Sequence, residues 1–345
     1  MSNETRKKRI FVGLSGGVDS AVTAALLQKE GHDVTGVFIK GWYPEGMPCT
    51  WASDRQDAMR VAAKLHIPFV TLDASKEYKA SVIDYLLSEY KEGRTPNPDI
   101  MCNRDVKFGA FYAFAKAHGA DFVATGHYAS TKDGKLYRGI DASKDQSYFL
   151  WAVPKEVLAH VRFPLGAYQK EYVRTLAKKW GLPVAQKRDS QGICFLGSIS
   201  VEDFLTKELG ARSGEARDES GVVVGFHKGA VLYTIGERVP LTPSSTGPWF
   251  VHAKDISSNT LTVSRTILKP KTDAGITLAH GNFFQDKKEE NIEAQYRYHG
   301  PVITGNYRRE TNTFTPDQTL PEPLAKGQSL VMYKKDACVG GGIIV

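Results

Sequence analysis

Six consecutive residues, Ser15-Gly16-Gly17-Val18-Asp19-Ser20, limit what this chain can fold into more than any other stretch. The run before them, Arg9-Ile10-Phe11-Val12-Gly13-Leu14, is short, apolar and partly β-branched, which predicts a buried strand. The run after them, Ala21 to Gln28, consists of helix formers and stops at Gly31. A strand, a glycine turn and a helix start gather several backbone N–H groups at the positive end of a helix. That arrangement binds phosphate. Glycine lets the backbone approach an anion without a Cβ in the way, and Ser15 and Ser20 add hydroxyl donors. No lysine follows the glycines, so this is a different loop from the Gly-Lys-Ser/Thr cradle of the common NTPases.

The first 125 residues alternate strand and helix. Strands are expected at Asp33–Ile39, Ile67–Leu72 and Asp121–Thr125, and helices at Ser53–Leu65, Lys76–Tyr90 and Cys102–His118. This order specifies an α/β fold with a doubly wound parallel sheet, whose ligands sit beyond the carboxyl ends of the strands. Ser15–Ser20 and Gly126-His127-Tyr128 both fall at such ends and should both face a nucleotide. Gly41–Thr50 leaves the pattern and reads as a mobile surface insertion. A helix over Gln169–Trp180 closes at Gly181. An extended stretch then runs from Pro183 to Cys194, and one more helix spans Val201–Leu209.

From Gly210 onward helical periodicity is gone. Short runs such as Val222–Val224, Val231–Thr234, Trp249–Val251, Leu261–Val263, Gln295–Tyr298, Ser329–Tyr333 and Gly342–Val345 read as β material. Lys269-Pro270-Lys271 marks a break, giving three domains: 1–209, a central β-rich domain at 210–270, and a C-terminal β-barrel at 271–345. Lys plus Arg outnumber Asp plus Glu by 45 to 38, a net charge of +7 that leans toward a polyanionic partner. No apolar run approaches the length of a membrane span, and Ile10–Leu14 is too short for a signal peptide, so a cytoplasmic protein is expected. The four cysteines, Cys49, Cys102, Cys194 and Cys338, include no Cys-x-x-Cys pair, which is poor material for a zinc site or a disulfide framework.

Two stretches carry reactive chemistry. In Thr95-Pro96-Asn97-Pro98-Asp99-Ile100-Met101-Cys102-Asn103 the prolines fix an extended approach, and Asn97 or Asp99 can cap the helix that follows. With Asp99 at that cap or in the first turn, its carboxylate and the Cys102 thiol share one helix face. A thiol in the first turn is also acidified by the helix end. Asp99 beside it could shuttle protons. The same residues equally fit an N-cap aspartate and a buried cysteine. In Asp189-Ser190-Gln191-Gly192-Ile193-Cys194-Phe195, Lys187 and Arg188 upstream favour a thiolate, while Ile193 and Phe195 fit a core cysteine as well.

Taken together these motifs resemble the tRNA-specific 2-thiouridylases of the PP-loop ATP pyrophosphatase superfamily, which split ATP into AMP and pyrophosphate. The matching segments are Ser15–Ser20, Asn97–Asp99 with Cys102-Asn103, Ala124–Tyr128, Lys144–Tyr148, Asp189-Ser190 with Gly192–Phe195, Tyr233–Arg238, and the ending Cys338–Gly342. The resemblance implies that ATP is held by Gly13, Leu14, Ser15, Gly16, Gly17, Val18, Asp19, Ser20, Ile39 and Gly126. It implies that Asn97, Pro98 and Asp99 surround the wobble uridine, and that His127, Lys144, Asp145 and Gln146 contact tRNA. Gln328 would do so in the barrel. A family Arg-Tyr pair stands here as Gln295-Tyr296, and Glu237 replaces a more usual Gln.

The same resemblance implies a persulfide on Cys194, Cys102 as the partner thiol and Asp99 as the proton-transfer group. The chemistry is consistent, since the uracil 2-oxygen is a poor leaving group until it is adenylated. ATP with Mg²⁺ would supply the AMP, and a persulfide the sulfur. A thiol reductant would then reset the Cys102–Cys194 disulfide that remains. Implied partners are the tRNA anticodon stem-loop, gripped by salt-sensitive phosphate contacts, and a sulfur-relay protein or cysteine desulfurase; a monomer is expected. An adenylating synthetase with another nucleophile would need no pair of thiols. An iron–sulfur thiolase using Asp99, Cys102 and Cys194 is not favoured without a Cys-x-x-Cys, and a nucleotide-sensing RNA-binding protein would release no pyrophosphate.

Overall fold

The protein, seen in a computed structural model, is described over residues 7–44, 51–188, 200–243, 247–267, 275–284 and 289–345. Most of the expected 41–50 insertion, the Lys269-Pro270-Lys271 break and the 189–199 segment with Cys194 therefore lie outside the described residues.

Contacts divide the chain into two compact units, one of residues 1–82, 99–197 and 336–339, the other of 83–98, 198–335 and 340–345. The first contains a parallel sheet. Its strands β1 (Arg9–Gly13), β2 (Asp33–Lys40), β3 (Phe69–Asp73) and β4 (Phe122–Ala124) lie in the order β3-β2-β1-β4, with a short edge strand, Val161–Arg162, beyond β4. β1 is central, with Ile10 and Val12 at most 1% exposed, because side chains on both of its faces are covered by helices. It pairs in parallel with β2 (Ile10 beside Val34) and with β4 (Ile10 beside Phe122). The chain builds outward from β1 to β3 and then crosses to the other side of β1 for β4. The switch point lies between β1 and β4, where sheets of this kind open a crevice for ligands.

Helix α1 (Val18–Lys29) is apolar nearly all round and correspondingly sunk in the core, with Ala21, Val22, Ala24, Leu26 and Leu27 packed among Ile10, Val12, Leu14 and Val34. Helix α2 (Trp51–Leu65) is amphipathic and buries only Ala58, Val61 and Ala62. Two expected helices contain π-helical turns. One runs α over Ser75–Tyr78, π over Lys79–Ile83 and α over Asp84–Lys91; the other runs α over Pro98–Met101, π over Cys102–Ala110 and α over Phe111–Ala117. An antiparallel hairpin, Ala129–Lys132 with Lys135–Arg138, was not expected. Its signal was Asp133-Gly134, both at positive φ (52° and 70°), the residue pair that suits a two-residue hairpin turn.

The second unit contains helix Val201–Leu209, capped by the Ser200 hydroxyl accepting from the Asp203 N–H and closed by Gly210 in the left-handed conformation. A four-stranded sheet follows, made of Gly214–Arg217, Val223–His227, Phe250–Asp255 and Thr260–Ser264, with Trp249, Val251, Leu261 and Val263 in its core. Val231–Thr234, read as a strand, instead leaves a 3₁₀ turn at Ala230–Leu232, because the chain has already reversed at Gly229 (φ 147°).

The last six strands close into a barrel, in which Leu278, Ala279, Asn282 and Phe283 pair with Ile344, Ile343, Gly341 and Gly340. The terminal glycines make that closure possible. A Cβ on Gly340 (φ 143°) would run into the Asn282 carbonyl oxygen and lie 2.6 Å from Phe283 Cδ1. Among the described residues no helix is long and apolar enough to cross a membrane. Gly340→Ala is expected to destabilise the protein by about 1–3 kcal/mol, measured by chemical denaturation. A variant as stable as wild type would show that the seam does not depend on this glycine.

Candidate active site

The Leu14–Gly17 loop leaves β1 at the switch point and enters α1. Gly17 is the N-cap residue, extended at φ −98° and ψ 168°, and no side chain caps the helix. The N–H groups of the first turn thus have no intrahelical acceptor, which is the donor array an anion uses. The two serines brace the loop: the Ser20 hydroxyl donates to the Gly17 carbonyl (3.1 Å) and accepts from the Ser15 N–H (3.2 Å), and the Ser15 hydroxyl accepts from the Gly17 N–H (3.3 Å). Gly16 stands at φ 78° with its Cα facing the Asp54 carbonyl oxygen of α2, leaving no room for a Cβ.

Beside this loop, Thr125-Gly126-His127 leaves β4. A Cβ on Gly126 would lie 2.8 Å from both the Asp19 carbonyl carbon and the Ser20 nitrogen, so β4's exit rests directly on the first turn of α1. Of the other residues expected to hold nucleotide, Ile39 reaches within 3.8 Å of the Cβ position of Gly13, and Leu14 is a core residue.

Sequence reasoning missed Lys170. It begins helix Lys170–Lys179, is only 7% exposed, and its ammonium donates to both oxygens of Asp19 at 2.8 Å. The Tyr128 hydroxyl donates to the same carboxylate at 2.9 Å. A lysine 151 positions from its partner leaves no local signal; only the fold brings it under the phosphate loop.

The thiol-bearing helix begins four residues earlier than expected. Pro98 opens it and Asp99 lies in its first turn, while Cys102 is buried in the second. The expected acidification of Cys102 by a first-turn position is therefore corrected: the field of a helix end fades beyond the first turn. The reason is Pro98, whose fixed φ suits the first helical position. Asp99 and Cys102 do share one helix, three residues apart.

Asn103 is buried and donates through Nδ2 to the Asp99 carbonyl (2.9 Å), leaving its Oδ1 without a partner. Burial raises the Asp99 carboxyl above the usual carboxylate range, opposed by the positive Lys107. Lys107 also approaches His127, with Nζ 3.5 Å from Nε2. Since an ammonium only donates, Nε2 accepts, and Nδ1 carries the proton that goes to the Thr125 hydroxyl at 2.7 Å. His127 is held neutral, its pKa well below 6.5 because of burial and the Lys107 charge.

The Lys144–Gln146 segment is tied to the same region. Asp145 is buried, and its carboxylate accepts from the Gly139 and Ser147 N–H groups (3.0 and 3.1 Å) and from the Ser147 hydroxyl (2.9 Å). Gln146 accepts from the Tyr128 N–H at 3.1 Å, and Lys144 is half-buried. These bonds give Asp145 and Gln146 a part in shaping the loop after β4.

In the second unit, Asn97 is half-buried, and the Thr95 hydroxyl lies 3.2 Å from that of Thr234 in the Tyr233–Arg238 turn. Glu237 closes that turn by accepting from the Thr234 N–H at 2.9 Å. In the barrel, Gln295 ends a strand and donates to the Gly300 carbonyl at 3.4 Å. Gln328 has a buried Oε1 without a partner. Tyr296 is a core residue, fully buried with its hydroxyl donating to the Glu322 carbonyl, so its ring offers no surface to an outside partner.

Cys194 lies outside the described residues. The chain leading toward it is anchored at Lys187, whose ammonium bridges Asp54 (2.8 Å) and Asp57 (2.7 Å) of α2, the helix that packs on Gly16.

Three family profiles cover the chain: "tRNA methyl transferase HUP domain" over 8–198, "tRNA methyl transferase PRC-barrel domain" over 202–265, and "Aminomethyltransferase beta-barrel domain" over 273–344. A protein of Listeria monocytogenes serotype 4a (strain HCC23), named tRNA-specific 2-thiouridylase MnmA, is 42% identical over 360 residues, covering 100% of this chain and 96% of that one. The chain belongs to the tRNA-specific 2-thiouridylase family. A 2-thiouridylase MnmA of Bacillus licheniformis is 40% identical over 364 residues with the same coverage.

Among solved structures, a 4-thiouridine synthetase in complex with RNA and bound ATP has a TM-score of 0.39 and 21% identity, covering 58% of this chain and 49% of that one. The U34-tRNA thiolase NcsA of Methanococcus maripaludis, with its [4Fe-4S] cluster, has a TM-score of 0.36 and 17% identity, covering 59% and 67%. At those scores neither adds to the assignment, which rests on the full-length 2-thiouridylases.

A histidine kept neutral by burial makes the native state bind fewer protons than the unfolded chain below an ordinary pKa of 6.5. Its contribution to stability is present above that value and lost as pH falls below it. Denaturation curves between pH 7.5 and 5.5 are expected to show a loss that is smaller in His127→Gln than in wild type. Equal slopes would mean that His127 is not the group responsible.

Proposed function

We propose that this 2-thiouridylase-family chain uses ATP to replace the 2-oxygen of the wobble uridine in tRNA anticodons with sulfur. One observation carries the reading: the helix bearing Asp99 and Cys102 reaches His127 through Lys107, and the neighbouring Gly126 rests on the first turn of the phosphate loop's helix. On this reading a thiol and an anion cradle would serve one site. The cradle suits a nucleotide triphosphate, since the glycines leave space where a Cβ would intrude and α1 begins uncapped. Gly13 to Ser20, Ile39 and Gly126 would hold ATP with its Mg²⁺. ATP supplies the adenylyl group that makes the uracil 2-oxygen a leaving group.

The protein's own residues divide the remaining work. Asn97, Pro98 and Asp99 border the target base, turned out of its stack, while Lys144 and Gln146 on the loop, and Gln328 and Gln295 in the barrel, meet the tRNA. Cys194 receives a persulfide from a sulfur-relay protein or desulfurase. The Cys102 thiolate attacks the inner sulfur, forming a Cys102–Cys194 disulfide and releasing HS⁻. That sulfide adds at C2, and C2=S forms as AMP leaves; pyrophosphate has already gone. Asp99, three residues from Cys102 on the same helix and with its carboxyl raised by burial, would accept the Cys102 proton. An external thiol returns the two electrons the disulfide needs. The catalytic unit is read as residues 1–209, with 210–270 and 271–345 as tRNA-binding modules.

Mass spectrometry of tRNA nucleosides after incubation with ATP and a persulfide source tests this directly. Wild type is expected to give a sulfur-for-oxygen mass gain at uridine that Cys194→Ser and Cys102→Ser lack; activity retained in both serine variants would end the thiol mechanism. Gly126→Ala should weaken binding of a non-hydrolysable ATP analogue by about tenfold or more, a loss of ~1.4 kcal/mol, measured by calorimetry. Unchanged affinity would remove Gly126 from the nucleotide site.

A further inference from the structure

The π-helical turn Cys102–Ala110 has a consequence for one side chain. In a helix bonded i to i+5, the residue five positions on comes round to the face of the first, whereas an α-helix brings round the residue four positions on. Counting from Cys102, the π turn pairs position 102 with Lys107, where an α-helix would pair it with Val106, which is buried here in the core. The same turn brings Gly109 to the Arg104 carbonyl, where a Cβ would lie only 3.1 Å from the oxygen.

Two groups are tied to the Lys107 ammonium, His127 and Asp99. His127 Nε2 is at 3.5 Å, and behind it the ring donates to Thr125. Asp99, from the first turn of the same helix, feels the Lys107 charge. Arg104 and Asp105, between them on the helix, are engaged in a fork with each other at 2.8 and 2.9 Å. Phe163 packs edge-on against the imidazole and Phe108 packs tilted against it, with ring centroids 5.8 and 6.0 Å away. The ring is thereby fixed in place, and its tautomer is left to the groups at its two nitrogens, Lys107 at Nε2 and Thr125 at Nδ1.

We infer that Lys107 is a positioning residue that locks His127 as the Nδ1–H tautomer and so couples the thiol-bearing helix to the loop resting on the nucleotide cradle. The coupling runs through bonded or touching groups: Lys107 to His127, His127 to Thr125, and Gly126 to Asp19 and Ser20. Its kinetic consequence rests on the thiolation reading above; its effect on His127 does not. A guanidinium can donate to Nε2 as an ammonium does, whereas methionine has no N–H and the amide of glutamine, one bond shorter than lysine, falls short of Nε2.

The test compares Lys107→Met, Lys107→Gln and Lys107→Arg by ¹⁵N NMR of the His127 ring and by steady-state thiolation of tRNA. Wild type and K107R are expected to show an unprotonated Nε2 and a protonated Nδ1, and K107M and K107Q a mixture of tautomers. In those two variants kcat should fall about tenfold to a hundredfold with KM for ATP changed much less, since geometry rather than binding is lost. K107R should recover most of it. An unchanged His127 tautomer in both K107M and K107Q overturns the inference. So does a kcat loss that K107R fails to restore. If wild type does not thiolate tRNA at all, the functional reading fails while the NMR comparison still decides the role of Lys107.

Discussion

The contact between Gly126 and the first turn of α1 is the constraint on which the site depends. It exists because β1 and β4 are neighbours in the sheet although their registered pair Val12 and Ala124 lies 112 positions apart in the chain, a separation bridged by the three β–α–β connections through β2 and β3. With a side chain at position 126 the two loops could not both leave the sheet at this edge. Once they do, the uncapped first turn of α1 and the loop that carries His127 lie against each other, and Lys107 ties the helix that carries Asp99 and Cys102 to that loop.

Charge is handled in the same compact way. The phosphate loop contains no lysine, yet one stands beneath it: Lys170, buried and bound to both oxygens of Asp19, with Tyr128 completing the carboxylate's shell. A buried ammonium is tolerable because its partner is close and correctly oriented, and removing either member would strand the other in a poorly solvated place. Lys107 follows a different logic. It faces a neutral imidazole and a carboxyl whose ionisation burial discourages; burial dominates both, and the Lys107 charge adds to it at His127 and opposes it at Asp99.

The chain leading to the Cys194 segment is fastened by a third lysine. Lys187 ties it to Asp54 and Asp57 of α2, and α2 in turn abuts Gly16. Lys107, Lys170 and Lys187, all far along the chain from the glycine loop, thus support it or its neighbours, each through a carboxylate or an imidazole.

Much of this was legible in the sequence. Alternating β-branched runs and glycine stops determined the parallel sheet and its loops, since buried strands and helix ends have local signatures; the Ser15–Ser20 loop, Asp99 and Cys102 stood out because their chemistry is carried by adjacent residues. What only the tertiary structure decided are the pairings that have no local cause. These are Lys170 with Asp19, Lys107 with His127, the burial that makes Tyr296 a core residue, and the π turn that re-aims a helix face by one residue. Periodicity records which side of an element is apolar. It does not record which partner across the fold a polar side chain will meet, because that is set by packing among segments far apart in the chain.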